Sequence, residues 1–353
     1  NFKINKHMFS AQSLKFLKNI YEVLHHIEIP SYKTIKVQGN VYGEHFDLIP
    51  KDFKQFIRSH SMFRSTIQSN IENRQVTIHF MHDSKHFTNQ IENVLRWLKF
   101  AYSISPQECS RQLEVFIYLV PFKKQLPNNT KIIKQTHANN AFTFACMERN
   151  EINIFRSEEW FKVLIHETIH ALGIDFSRFN YSHVVDPMLD NTYHIGIEYN
   201  FHEAYCETVA NIMNVLLLTF KLPFDSFIKT FTSKMFSETI FSLYQSAKTM
   251  NYFDIDYSKI IKNKETTAYT ENTPLFSYFI IKSCFLYNLD AFLKSRSKKG
   301  FVTDNNNDII ELTKFIVSNA NKRNYIHDMT LLQTMINGFK HRQQDSMRFS
   351  LYG

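Results

Sequence analysis

The chain has 353 residues, 44% of them hydrophobic and 21% charged, with a net charge of +8, the make-up of a folded protein with a sizeable core. Only 7 glycines occur, where an average protein has roughly 7%, and none are spaced as G-x-G-x-x-G or G-x-x-x-x-G-K, so a glycine-rich nucleotide site is excluded. The cysteines, Cys109, Cys146, Cys206 and Cys284, form no C-x-x-C pair and are too sparse for a disulfide-stapled domain, so they are read as reduced and mostly buried.

Apolar spacing predicts a helix from Ser10 to Ile27, a strand from Tyr32 to Val37 and a helix after Pro50, together an N-terminal lobe over 1–70 that is mostly helical. From Gln75 the period changes. Val76, Ile78 and Phe80 alternate with polar residues as in a half-buried strand, and Phe87 to Tyr102 is helical. Strands follow at Leu113 to Val120, Ala141 to Met147 and Glu151 to Phe155, the last two joined by a turn at Glu148 to Asn150. Ser157 then stands as a cap before Glu158 and Glu159, opening a helix that runs through Trp160 and Leu164 to a stop at Gly173. Beyond Phe201 the pattern is helical: Ala204 to Phe220, Phe224 to Met250, Leu275 to Leu293 and Asp308 to Ala320.

The expected class is therefore α+β: a small mixed sheet and an active-site helix over 71–220, then a mostly α-helical lobe over 221–353. The first residues lack the apolar region of a signal peptide, and no apolar run nears the roughly 18 residues of a membrane span. An intracellular, cytoplasmic setting is expected, or a place in a virion.

The helix ending at Gly173 contains His166-Glu167-Thr168-Ile169-His170. In this H-E-x-x-H pattern, two histidines four apart share a helix face and can hold one zinc, while the Glu between them acts on its water. A catalytic zinc needs a third protein ligand. The extended H-E-x-x-H-x-x-G-x-x-H pattern requires His at 176, where Phe176 stands, so a metzincin with a methionine turn at Met188 is disfavoured. His202-Glu203-Ala204-Tyr205-Cys206-Glu207 offers two carboxylates four apart in a largely apolar helix. Glu203 is preferred to Glu207 or His202 as the ligand, with Glu207 taking the spare imidazole N–H of a liganding histidine. Glu167 would be the general base.

H-E-T-I-H followed by E-A-Y-C-E resembles the gluzincin branch of zinc metallopeptidases. Its thermolysin-like members carry H-E-x-x-H and then E-A-x-x-D, and its anthrax lethal factor member carries E-x-x-x-E. Asn139-Asn140-Ala141-Phe142 is similar to the N-A-F segment on their edge strand. The resemblance spans about Asn139 to Asn211 and implies a zincin-like catalytic domain with one zinc per chain. It also implies that Asn140 and Ala141 bind substrate backbone, and that an oxyanion donor lies between the two ligand helices, with Tyr193 and Tyr199 the preferred candidates over His194 and His202. The expected function is zinc-dependent hydrolysis of a protein or peptide substrate laid along the Ala141 strand. The competing reading is a structural or interaction protein, such as a virion or scaffold component, on a zincin fold with vestigial activity. The helices after 221 would offer a surface for a protein partner. Nucleic acid is not expected as one, because basic runs such as Lys294 to Lys299 and Lys340 to Arg348 belong to no recognised binding module.

Overall fold

The structure is a computed structural model that describes residues 1–4, 8–60, 63–82, 88–127, 132–262, 269–338 and 346–353. Residue 87 of the expected helix and residues 340–345 of the second basic run lie outside these.

Alternating apolar residues build a six-stranded mixed sheet from β1 (Tyr32–Gln38), β2 (Phe63–Ile71), β3 (Arg74–His82), β4 (Gln112–Val120), β5 (Ala141–Phe142) and β6 (Arg149–Arg156). Their order is β1-β2-β3-β4-β6-β5. β1, β2 and β3 are antiparallel, β3, β4 and β6 run parallel, and β5 closes one edge antiparallel to β6. On β4, Leu113, Val115 and Ile117 face the main core. Phe116, Tyr118 and Val120 face a smaller cluster with Phe46, Phe53 and Ile57.

The helices are α1 (Ala11–His26), α2 (Lys51–Ser59), α3 (Thr88–Ile104), α4 (Gln135–Ala138), α5 (Trp160–Ala171), α6 (Ser182–Tyr193), α7 (Phe201–Thr219), α8 (Phe224–Tyr252) and α9 (Tyr257–Lys262). A π-helical turn over Phe276–Ile281 then leads into α10 (Lys282–Tyr287), followed by α11 (Leu289–Arg296), α12 (Asn306–Ala320) and α13 (Arg323–Gly338). Helix α7 is apolar almost all round and correspondingly buried, and α5 packs against it. No helix among the described residues is long and apolar enough to cross a membrane.

Several expectations give way to longer-range contacts. The first 70 residues do not stand apart: β1 and β2 extend the common sheet, and Leu17 and Ile67 belong to one apolar core that continues to Phe349. The expected strand to Met147 ends at Phe142. There the chain leaves the sheet, and the Cys146 N–H donates to the His170 carbonyl at 3.2 Å. Cys146 is not reduced but bonded to Cys109, 37 residues earlier, a pairing that no short spacing announces. Cys206 and Cys284 are free and buried. Ser157 does not cap α5. Its N-cap is Glu159, in the left-handed region at φ 61°, whose carboxylate turns away to the Lys124 ammonium at 2.7 Å and the Phe349 N–H at 2.9 Å.

Candidate metal centre

The 3.6-residue period puts His166 and His170 one above the other on α5, and Glu203 enters from the first turn of α7. His166 Nε2 lies 3.1 Å from Glu203 Oε2, His170 Nε2 lies 3.3 Å from the same oxygen, and the two Nε2 atoms are 3.1 Å apart. These three residues could hold a metal ion. A larger recess at the start of β3, β4 and β6, lined by His45, Glu114 and Glu151, brings no such trio together among the described residues.

A carboxylate stands behind each imidazole. Glu207 Oε1 lies 3.0 Å from His166 Nδ1, bent away from a straight hydrogen bond, and His170 Nδ1 donates to Asp175 Oδ2 at 2.8 Å. A carboxylate beside each Nδ1 favours a proton there, and against the opposing effect of burial the surrounding carboxylates raise both imidazoles above the ordinary range, so without a metal ion the Nε2 atoms also carry protons towards Glu203. Asp175 was not expected: it comes two residues after Gly173 and is fixed by the Ser177 N–H and hydroxyl. Its signal is an acid directly beyond the helix stop, adjacent to position 176 but off the register of a ligand there.

Gly173 ends α5 as expected. At φ 62° it lets its own N–H reach the His170 carbonyl and the Ile174 N–H reach the Ile169 carbonyl, both at 3.0 Å. A side chain here would also meet Cys109 Sγ at 3.0 Å. The helix end, the disulfide and Asp175 are thus locked together beside His170.

Glu167 is buried, yet its carboxylate makes no hydrogen bond among the described residues and lines a cleft of about 230 Å³ with His166, His170, Glu203 and Ala141. Burial pushes its carboxyl above the ordinary range, against the opposing pull of His166 and His170. Burial would raise Glu203 as well, but His170, His166 and His202 outweigh it and hold that carboxyl well below the usual range. Two acids on one cleft are thereby pushed in opposite directions, the pattern that separates a proton carrier from a permanently charged group.

Ala141 lies on edge strand β5 at the cleft. Because the Phe155 N–H donates to the Asn140 carbonyl, strand alternation points the N–H and C=O of Ala141 to the open edge. Asn140 faces inward instead: its side-chain amide donates to the Glu158 carbonyl, and Oδ1 is buried without a partner.

The two tyrosines expected as oxyanion donors are elsewhere. Tyr193 and Tyr199 are buried in an aromatic cluster with Phe276, and the Tyr199 hydroxyl donates to Asp190 at 3.2 Å. The connection between α6 and α7 folds into the core rather than over the cleft. Phe176 is likewise core, packed edge-on against Tyr181. The cleft instead receives Tyr278, from the π-helical turn, and His202. His202 Nδ1 is bonded to the Tyr181 hydroxyl, which leaves Nε2 towards Glu203 at 3.6 Å. Tyr278 lies outside the stretch between the two ligand helices, in the turn that follows α9. Compared with known proteins, the chain matches no family model, no curated protein and no solved structure.

Proposed function

We propose that the chain is a zinc-dependent peptidase of gluzincin type, with the zinc held by His166, His170 and Glu203. The observation that carries this reading is the convergence of three electron-rich atoms at 3.1 to 3.3 Å. Atoms so placed call for positive charge among them, a metal ion or, in its absence, protons on the imidazoles. Tetrahedral zinc with bonds of about 2.0 to 2.1 Å spaces its ligands about 3.3 Å apart. Two imidazoles and one carboxylate also match the donor set of catalytic zinc, which leaves a fourth position for water.

Bound by His166, His170 and Glu203, zinc would supply a Lewis acid that activates water near neutral pH and polarises a carbonyl. The substrate adds to the open edge of β5 through the N–H and C=O of Ala141, which places its backbone across the cleft whatever its side chains. Glu167, unbonded and with its carboxyl raised by burial, takes the proton of the attacking water and passes it to the leaving amine. The Tyr278 hydroxyl and His202 Nε2 are the cleft's donors for the oxygen on which charge develops. Glu207 and Asp175 hold the two imidazoles in the tautomer that ligation needs. The disulfide suits an oxidising compartment better than a reducing cytoplasm.

Metal analysis of the purified chain tests this. One zinc per chain is expected, lost in His166→Ala and in Glu203→Ala; full zinc retention in both variants would move the site elsewhere. Zinc without cleavage of any peptide would favour the scaffold reading.

A further inference from the structure

Behind His166, buried charges form a chain of contacts that ends on distant backbone. Lys162, one turn before His166 on α5, contacts both oxygens of Glu207, and Lys282, the first residue of α10, lies 3.7 Å from Glu207 Oε2. Both lysines have no solvent exposure. The Lys282 ammonium donates to the Phe349 carbonyl at 2.6 Å. The segment 346–353 is in turn clamped by two buried carboxylates: Glu159 accepts the Phe349 N–H at 2.9 Å, and Glu238 accepts the Leu351 and Tyr352 N–H groups at 3.0 and 3.1 Å. The Phe349 ring packs 4.9 Å from that of Tyr278.

Taking ammonium and carboxylate groups fully out of water is costly, and an apolar core of the same volume would stabilise the fold as well or better. The network meets the site's chemistry at Glu207, which stands behind His166. Glu207 has two cations to choose from. Lys162 ties it to α5, and Lys282, from α10, contacts the same oxygen as a second anchor that fixes where the carboxylate sits.

We propose that Lys282 is a positioning residue of the metal centre, held in place by the Phe349 carbonyl, so that the segment 346–353 aims His166 through Lys282 and Glu207. The inference rests on the reading of His166, His170 and Glu203 as zinc ligands.

The test titrates the metal-free full chain with Co²⁺ and with Zn²⁺, reading affinity by competition with a chelator and ligand geometry from the visible cobalt spectrum. Loss of a direct partner of a liganding histidine weakens metal binding by about 10- to 100-fold, so Glu207→Gln should fall in that range and Lys282→Met, one step further out, should lose about 3- to 10-fold with a shifted spectrum. Glu238→Leu, which removes the acceptor of the Leu351 and Tyr352 N–H groups and so releases the segment that carries the Phe349 carbonyl, should do the same, and the double variant should be no worse than either single one, because both break one chain of contacts. Should Lys282→Met not fold, Glu238→Leu carries the test. Phe227→Ala, a core truncation on α8, controls for general destabilisation and should leave both readouts unchanged. Wild-type affinity and spectrum in folded Lys282→Met, or an equal loss in Phe227→Ala, overturns the inference alone. No cobalt uptake by the wild-type chain overturns it together with the metal reading.

Discussion

Glu167 and Tyr278 both line the cleft, one as an acid and one as a hydroxyl. A general base must be ionised to work, and burial raises the Glu167 carboxyl. Activity of the zinc-loaded chain should therefore fall as acid protonates Glu167, giving an acid limb in the pH profile of kcat/KM. A profile with no acid limb would take the role from Glu167. Removing one oxyanion donor costs about 100- to 1000-fold in kcat. Tyr278→Phe is expected in that range, while Tyr193→Phe and Tyr199→Phe, both in the aromatic cluster, should leave kcat near that of the wild type. Steady-state kinetics on the three variants separates the assignments. His166, Glu167 and His170 were legible in the sequence because one helix period puts them together, and Glu203 because an acid in an apolar helix needs a partner. Tyr278 was not legible: it reaches the cleft through the packing of the π-helical turn, which no local pattern encodes.

Among the elements, α5 owes its placement to its two ends. Gly173 closes one of them in the left-handed region against Cys109, so Gly173→Ala should cost about 1 to 3 kcal/mol, visible as a lower Tm. An unchanged Tm would mean that the stop is not fixed there. The approach to the π-helical turn carries a pH signature. Glu271, bonded to the Tyr269 hydroxyl at 2.7 Å and the Phe276 N–H at 2.9 Å, has its carboxyl pushed up to about 7 by burial. A carboxyl raised in the folded state contributes stability that is complete below its unfolded pKa and is lost as pH rises through the folded one. Between about pH 4.5 and 7 the protein should lose on the order of 2 kcal/mol, and Glu271→Gln should flatten that slope in denaturant titrations. A slope unchanged in the variant would assign it to other groups.

Elements were readable where they are long and periodic, such as α1, β3, β4 and α8. They were missed where residues bury for distant reasons. β2 hides behind buried Ser65 and Thr66, and its two-residue hairpin uses Glu72 and Asn73, both at positive φ, instead of an Asn-Gly signal. Ser157 had the chemistry of a cap, but Glu159 is committed to Lys124 and the 346–353 segment, and that sets where α5 begins.

At the scale of the molecule, one core joins the sheet, α5, α7 and the later helices, so the three candidate ligands sit on packed elements with β5 as the sheet's edge beside them. The Cys109–Cys146 bond closes a loop of 37 residues, for which chain entropy gives about 2 to 4 kcal/mol. Replacing both cysteines by serine should lower stability by that amount in chemical denaturation, and no change would mean that the thiols are unpaired in solution. The claim that unites these scales is that Glu167, beside a zinc held by His166, His170 and Glu203, hydrolyses peptide bonds. The measurement that tests it most directly is cleavage of a randomised peptide library, read by mass spectrometry, with zinc-loaded wild-type chain and zinc-loaded Glu167→Gln. Cleavage by the wild type is expected, with a fall of about 100- to 10,000-fold in the variant at equal zinc content. Equal cleavage by both, or none by a wild type carrying its full zinc, would contradict it.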